Sequence, residues 1–506
     1  MIFINISDFI FDKNAENMNN RALLYVDRQG REENWSYMEL DVMSNKAANL
    51  LLSLGVKKGD RVFIYLERSP ETYFFILGIF KLGAIYCPLF PSFGPDAIKE
   101  RFDDCQGSLI VAESRLAENL GDLPHILVDR EGGFRSRLAA MEPDFQAVPV
   151  SDEDYAIIHY TSGTTGKPKG AVHRHGAIVS HWQTSKDIIG LRPGLKCWFT
   201  ADPAWVTGTS YGILGPLSTG ADILVSEPGY RVNQVLGLLD KYDIEICYTA
   251  PTLLRMLMRE DPAKAKAFKL ESLKKIFSAG EALNPEVRRW AEENLGLTVH
   301  NQWFQTETGC IIIGYDGSFP RKGDDSMGKV LVDIKAEILD DSFNPLPPGG
   351  KGHLALMPSW PSMFLDYWGN REKYLSRFKN DWYITGDLAY RDDEGYFYYM
   401  SREDDVINTA GHLVTPFEVE SILMTHSTVA EVAVIGIPDK LMGQAVKAFV
   451  VLKENCEPTP QLQMEYRALV RNRVSPFASP QAVEFIDALP KTESGKIIRR
   501  LLASGC

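Results

Sequence analysis

Between Tyr160 and Gly170 the chain reads Tyr-Thr-Ser-Gly-Thr-Thr-Gly-Lys-Pro-Lys-Gly. Gly163, Gly166 and Gly170 remove side-chain bulk, so successive backbone N–H groups can close around an anion. The hydroxyls of Thr161, Ser162, Thr164 and Thr165 add donors, and Lys167 and Lys169 add positive charge. This is the chemistry of a phosphate clamp. It is not a Walker A loop, which places four residues between its first glycine and the Gly-Lys pair; here only Thr164 and Thr165 stand between Gly163 and Gly166-Lys167. Read alone, so short a run also suits a flexible surface loop.

Other segments bring candidates of their own. Glu307, in Gln305-Thr306-Glu307-Thr308-Gly309, is a carboxylate of the kind that holds Mg²⁺ together with phosphate oxygens. Further along stand Ser278-Ala279-Gly280-Glu281, Thr385-Gly386-Asp387, Ser401-Arg402-Glu403-Asp404-Asp405 and Pro490-Lys491-Thr492-Glu493-Ser494-Gly495-Lys496.

In this order the six segments resemble the acyl-adenylate-forming enzymes: acyl- and aryl-CoA ligases, adenylation domains of peptide synthetases, and luciferases. The resemblance covers nearly the whole chain. It implies ATP, Mg²⁺ and coenzyme A, with Thr161, Ser162, Gly163, Thr164, Thr165, Gly166 and Lys169 around the phosphates and Glu307 on the metal. It implies that Asp387 and Arg402 meet the ribose. Gly280, Glu281, Ala282, Asn301, Gln302, Trp303 and Phe304, with Gln305 and Thr306, then wall the nucleotide, although for the aromatic pair ordinary core packing is the competing reading. Lys496 is implied to reach the substrate carboxylate and α-phosphate, and Thr161 to assist catalysis beside Glu307. Asp404 is implied to be the hinge of a mobile C-terminal domain. One departure stands out: many relatives carry an arginine where this chain has Leu413.

The segments Ala201–Gly208 and Trp303–Thr308 look most like acetate–CoA ligases. There the position of Phe304 is a second tryptophan and that of Ala279 a valine. An acyl pocket walled by Trp205, Val206, Thr207, Ala279 and Phe304 is therefore expected to be larger by a few carbons. The expected reaction is AMP-forming ligation of a short or branched acid to coenzyme A. A benzoate-like or medium-chain acid, a carrier protein as acceptor, and a non-catalytic adenylate-binding role are the alternatives.

The elements that must position these residues alternate. Tyr155–Tyr160 reads as a buried strand before the clamp. Ser36-Tyr37-Met38-Glu39 is a capping box opening a helix to about Leu54. Strands are expected at Arg61–Leu66, Ala84–Pro88, Leu109–Ala112, Ile126–Val128, Ala221–Val225, Ile244–Tyr248 and Leu273–Phe277, and helices at Glu71–Leu82, Val232–Lys241, Pro251–Arg259 and Pro285–Leu295. That rhythm predicts an α/β fold with largely parallel sheets, whose ligands gather at the carboxyl ends of strands. A β-rich section follows, then a small α+β unit after Arg402. The expected division is 1–401, a hinge at 402–405, and 406–506.

The chain has 506 residues, too many for one ordinary core. A net charge of −13 with no basic block argues against nucleic acid or anionic membrane as partner. Seven cysteines without CxxC spacing suggest reduced thiols in a cytoplasm. The N-terminus lacks a basic region before a long apolar run, so no signal peptide is expected. The window Thr72–Phe90, broken by Lys81, two glycines and Pro88, reads as a buried helix and strand. A monomer or homodimer is expected. His173 and His175 lack the partner spacing of metal ligands.

Overall fold

The computed structural model describes residues 4–503, apart from 131, 163–167, 228–231, 260–266, 282, 324–325, 411, 440–441, 455 and 492–496; residues 162, 232, 233 and 259 are described through their backbone. Among the described residues three sheets form, of fourteen, seven and five strands.

The seven-stranded sheet is parallel through Tyr155–Ser162, Ile85–Pro88, Arg61–Tyr65, Leu109–Glu113 and His125–Val128. Its other end is antiparallel: Tyr155–Ser162 turns back into Pro168–Arg174, which pairs with Asp366–Tyr367. The clamp segment thus stands between the two antiparallel arms, and residues 163–167 themselves lie outside the described residues. The second arm, Pro168–Arg174, is a strand that the polar Pro-Lys-Gly start had concealed.

The fourteen-stranded sheet has a parallel half, running Val299–Trp303, Lys275–Ser278, Ile246–Thr249, Lys196–Phe199, Asp222–Ser226 and Arg21–Val26. Its other half is antiparallel and holds Trp382–Arg391 beside Phe397–Arg402. The largest apolar cluster joins both sheets through Leu23, Ile223, Val62 and Val111. Between them the helix Pro70–Lys81 has all twelve residues buried. The helix Tyr37–Ser53 packs on it and opens on the expected capping box, with Ser36 and Glu39 exchanging hydrogen bonds. No helix among the described residues is long and apolar enough to cross a membrane.

The chain leaves the large sheet at Arg402, makes a single 3₁₀ turn at Glu403–Asp405, and enters the five-stranded sheet at Ile407–Thr409. That sheet has its own core, including Ile407, Val434, Val446 and Tyr466.

Candidate active site

The strand Val299–Trp303 ends one residue before Phe304, and the turn that follows carries Gln305 to Gly309. Across the sheet, the register of Trp382–Arg391 with Phe397–Arg402 sets Arg402 opposite Asp387. These elements converge on the Asp387 carboxylate, which is only 3% exposed. The Trp303 indole Nε1–H and the Gln305 Nε2–H both donate to its Oδ2 at 2.9 Å. Arg402 Nε stands 3.4 Å from its Oδ1. Gln305 also donates to the Thr385 carbonyl at 3.0 Å and accepts from the Tyr383 hydroxyl at 3.3 Å. A buried carboxylate that is fully ionised needs such donors, and these fix its orientation. Sequence alone thus placed Trp303, Gln305, Asp387 and Arg402 together, and the structure brings them together.

Glu307 is half-buried. Its Oε1 accepts from the Tyr367 hydroxyl at 2.7 Å, and its carbonyl accepts from the Phe364 N–H at 2.9 Å. Tyr367 stands opposite Ala171 of the hairpin arm, so Glu307 lies beside that arm, near Lys169. On that arm Lys169 pairs with Thr161, whose Oγ1 donates to the Lys169 carbonyl at 3.5 Å. The Lys169 ammonium is held below its ordinary pKa, first by burial and then by the positive charges of Lys373 and Arg377, against the pull of Glu307 and Asp404.

The turn after Lys275–Ser278 differs from expectation in one respect. Glu281 is not free to meet a ligand: its carboxylate pairs with Arg255 and accepts from Thr252 Oγ1 at 2.8 Å, both on the helix Pro251–Arg259. What this turn offers is backbone, and Gly280 supplies it with φ +91°, where a side chain would be strained. Gln302 also departs from the set. Alternation along its strand turns it to the face opposite Trp303, where it packs against Gly314. Asn301, on the same face as Trp303, is buried.

Phe304 meets Tyr211 edge-to-face, with ring centroids 5.4 Å apart. Tyr211 stacks on Tyr248 and is fixed by Thr184 Oγ1 at 3.0 Å and by the Ile311 N–H at 2.6 Å. Ala279 is buried in the same cluster. Val206 is buried and Thr207 half-buried on the neighbouring loop, which is closed by Gly208: a Cβ there would fall 1.9 Å from the Asp202 carbonyl oxygen. Trp205 belongs to another aromatic group, packing on Phe90 at 4.8 Å. Gly163, Thr164, Thr165, Gly166, Ala282 and Lys496, and the side chain of Ser162, lie outside the described residues.

Three residues that sequence reasoning did not single out hold this cleft together: Tyr367, Arg377 and Tyr383. Their one signal was the aromatic density between Phe364 and Tyr383.

The site so assembled matches a known family. Residues 11–368 fit the AMP-binding enzyme family, and residues 418–496 fit the AMP-binding enzyme C-terminal domain. The chain belongs to the AMP-binding enzymes, as an AMP-forming acyl-CoA synthetase. It is 41% identical to an acetyl-coenzyme A synthetase of Bacillus subtilis, over 97% of this chain and 88% of that one. An acetyl-coenzyme A synthetase of Pyrobaculum arsenaticum is 37% identical over 92% and 76%. Among solved structures, the anthranilate CoA ligase AuaEII in complex with anthranoyl-AMP superposes with a TM-score of 0.91 at 28% identity, covering 100% of this chain and 98% of that one.

Proposed function

We propose that this synthetase activates a straight or branched acid of about three to six carbons. What supports this is the wall formed by Phe304, Tyr211 and Ala279, in which the resemblance to acetate–CoA ligases implies a tryptophan at the position of Phe304 and a valine at that of Ala279. Each additional buried methylene contributes about 0.8 kcal/mol if the space accepts it. An aromatic acid or a carrier protein is not favoured, since the curated relatives named above are acetyl-coenzyme A synthetases.

In the first step the substrate carboxylate attacks the α-phosphorus of ATP, an acyl adenylate forms and pyrophosphate leaves. In the second the thiol of coenzyme A attacks the adenylate carbonyl, loses its proton, and AMP leaves. Asp387 and Arg402 receive the ribose, and the indole and amide donors on Asp387 keep its other oxygen aimed. Trp303 and the Gly280 backbone flank the base. The hairpin residues from Thr161 to Lys169 hold the phosphates, and Lys496 meets the carboxylate and α-phosphate. Glu307 suits Mg²⁺: one of its oxygens is occupied by Tyr367, and a hard cation takes a single carboxylate together with phosphate oxygens. The ion would neutralise phosphate charge. The described cysteines are free thiols, five of them buried, which fits a reducing cytoplasm.

A panel of acids supplied with ATP and coenzyme A, read by AMP release, tests this reading. kcat/KM should be higher for three- to six-carbon acids than for acetate. Phe304→Trp should move the preference back toward acetate by about tenfold per methylene excluded. An acetate preference in the wild type, or an unchanged profile in Phe304→Trp, would refute this view of the pocket.

A further inference from the structure

Arg377 is placed with unusual care for a residue outside every signature segment. It follows the helix Arg371–Ser376, its N–H donating to the Tyr374 carbonyl at 3.0 Å. A two-residue hairpin comes next. Phe378 pairs with Tyr383, and Asn380 and Asp381 both take positive φ, 48° and 69°. That is the backbone a tight hairpin turn requires. The hairpin closes as the Ile384 N–H donates to the Arg377 carbonyl at 2.8 Å.

The guanidinium is thereby laid 5.6 Å over the Tyr383 ring. Its two terminal nitrogens point edge-on at Gly386, where a Cβ would fall 3.2 and 3.3 Å from them. Gly386, at φ +77°, both permits the turn into Asp387 and leaves room for the cation. The buried Nε of Arg377 has no hydrogen-bond partner among the described residues.

Arg402 is matched by Asp387. Arg377 draws on Glu307 and on the hydroxyls of Tyr383 and Tyr367, and Lys169 feels the positive charges of Lys373 and Arg377 as well as Glu307 and Asp404. Glu307 is itself capped by Tyr367. A guanidinium presents its N–H groups in a fork that matches phosphate, and one that is buried without a full set of acceptors is costly unless a ligand supplies them.

We propose that Arg377, assisted by Lys373, binds the pyrophosphate portion of ATP as a phosphate-contacting residue of the adenylation step. This rests on the synthetase reading above and adds to it residues that lie outside the glycine-rich turn. Arg377 would stabilise the charge that grows on the departing pyrophosphate, leaving adenine and ribose to Trp303 and Asp387.

The test compares ATP and AMP binding to the full chain by calorimetry, alongside pyrophosphate–ATP exchange. Arg377→Met should weaken ATP by about tenfold or more while AMP stays within about twofold, and exchange should fall at least as far. Arg377→Lys should recover part of the loss. Lys373→Met, at a half-buried position of the helix Arg371–Ser376, should weaken ATP by about threefold, and it serves alone if Arg377→Met does not fold. Equal weakening of ATP and AMP would mean that Arg377 only supports the fold and overturns the proposal. Unchanged ATP binding in both methionine variants overturns it too, and leaves the synthetase reading standing. A wild type that binds neither nucleotide would overturn that reading as well.

Discussion

Asp387, which we propose meets the ribose, illustrates how one residue is oriented by others. Two neutral N–H donors occupy one oxygen and a guanidinium stands by the second, so the carboxylate has a single orientation. Glu281 shows the opposite case, a motif carboxylate committed to Arg255 and Thr252 and so to the fold. For Lys496, which lies outside the described residues, we propose a role that belongs to one half-reaction. A cation on the C-terminal domain lowers the barrier only where negative charge builds beside it, as on the α-phosphate during adenylation. Lys496→Ala should therefore abolish adenylation while thioester formation from supplied acyl adenylate largely survives. Separate assays of pyrophosphate exchange and of adenylate consumption decide it, and comparable loss in both would contradict this division of labour.

At the scale of elements, the passage Arg402–Ile407 carries the chain between two sheets with separate cores through one 3₁₀ turn. Asp404 lies exposed at its centre. We propose that the hinge lies there: Asp404→Pro fixes φ near −65° and should obstruct rotation. Adenylation should proceed in that variant while coenzyme A ester formation stops, and ester formed at the wild-type rate would remove Asp404 from this role. The periodic elements were legible in advance, because capping at Ser36, buried runs such as Ile157-Ile158, and the helix Pro285–Leu295 declare themselves locally. Lys196–Phe199 was not, although it lies near the middle of the parallel half-sheet. Four residues with a leading lysine give no periodicity, and its burial comes from neighbours distant in sequence. Pro168–Arg174 escaped because its partner strand, not its own composition, makes it a strand. The chemistry of the site was legible through motifs. Arg377 and Tyr383 were not, since only the hairpin at Asn380-Asp381 brings them to Gly386.

Four buried histidines on the hairpin arms and just after them tie this region to neighbouring segments of the molecule. His173 Nδ1 lies 3.1 Å from the Ser362 carbonyl, and His181 Nε2 lies 3.1 Å from the Gly309 carbonyl and 3.2 Å from Ser210 Oγ. His159 reaches the backbone of Ala204. His175 Nδ1 accepts the Ile6 N–H at 3.3 Å, which requires that nitrogen to be unprotonated. Burial depresses all four, to about 3 for His159 and His181 and about 4 for His173 and His175. In the unfolded chain each titrates near 6.5. Between those values the unfolded state binds protons that the folded state refuses. The stability linked to these groups is therefore complete above pH 6.5 and is lost as pH falls toward 4. Each group contributes a slope of about 1.4 kcal/mol per pH unit over that window. The urea midpoint should hold steady from pH 8 to 7 and then fall steeply below about 6, with adenylation activity disappearing alongside it. His159→Leu should flatten the slope by about a fifth, since burial also depresses His300, to about 4, and one of five such groups is gone. A midpoint that is level from pH 7 to 5, or that rises, would show that these imidazoles do not couple folding to proton uptake.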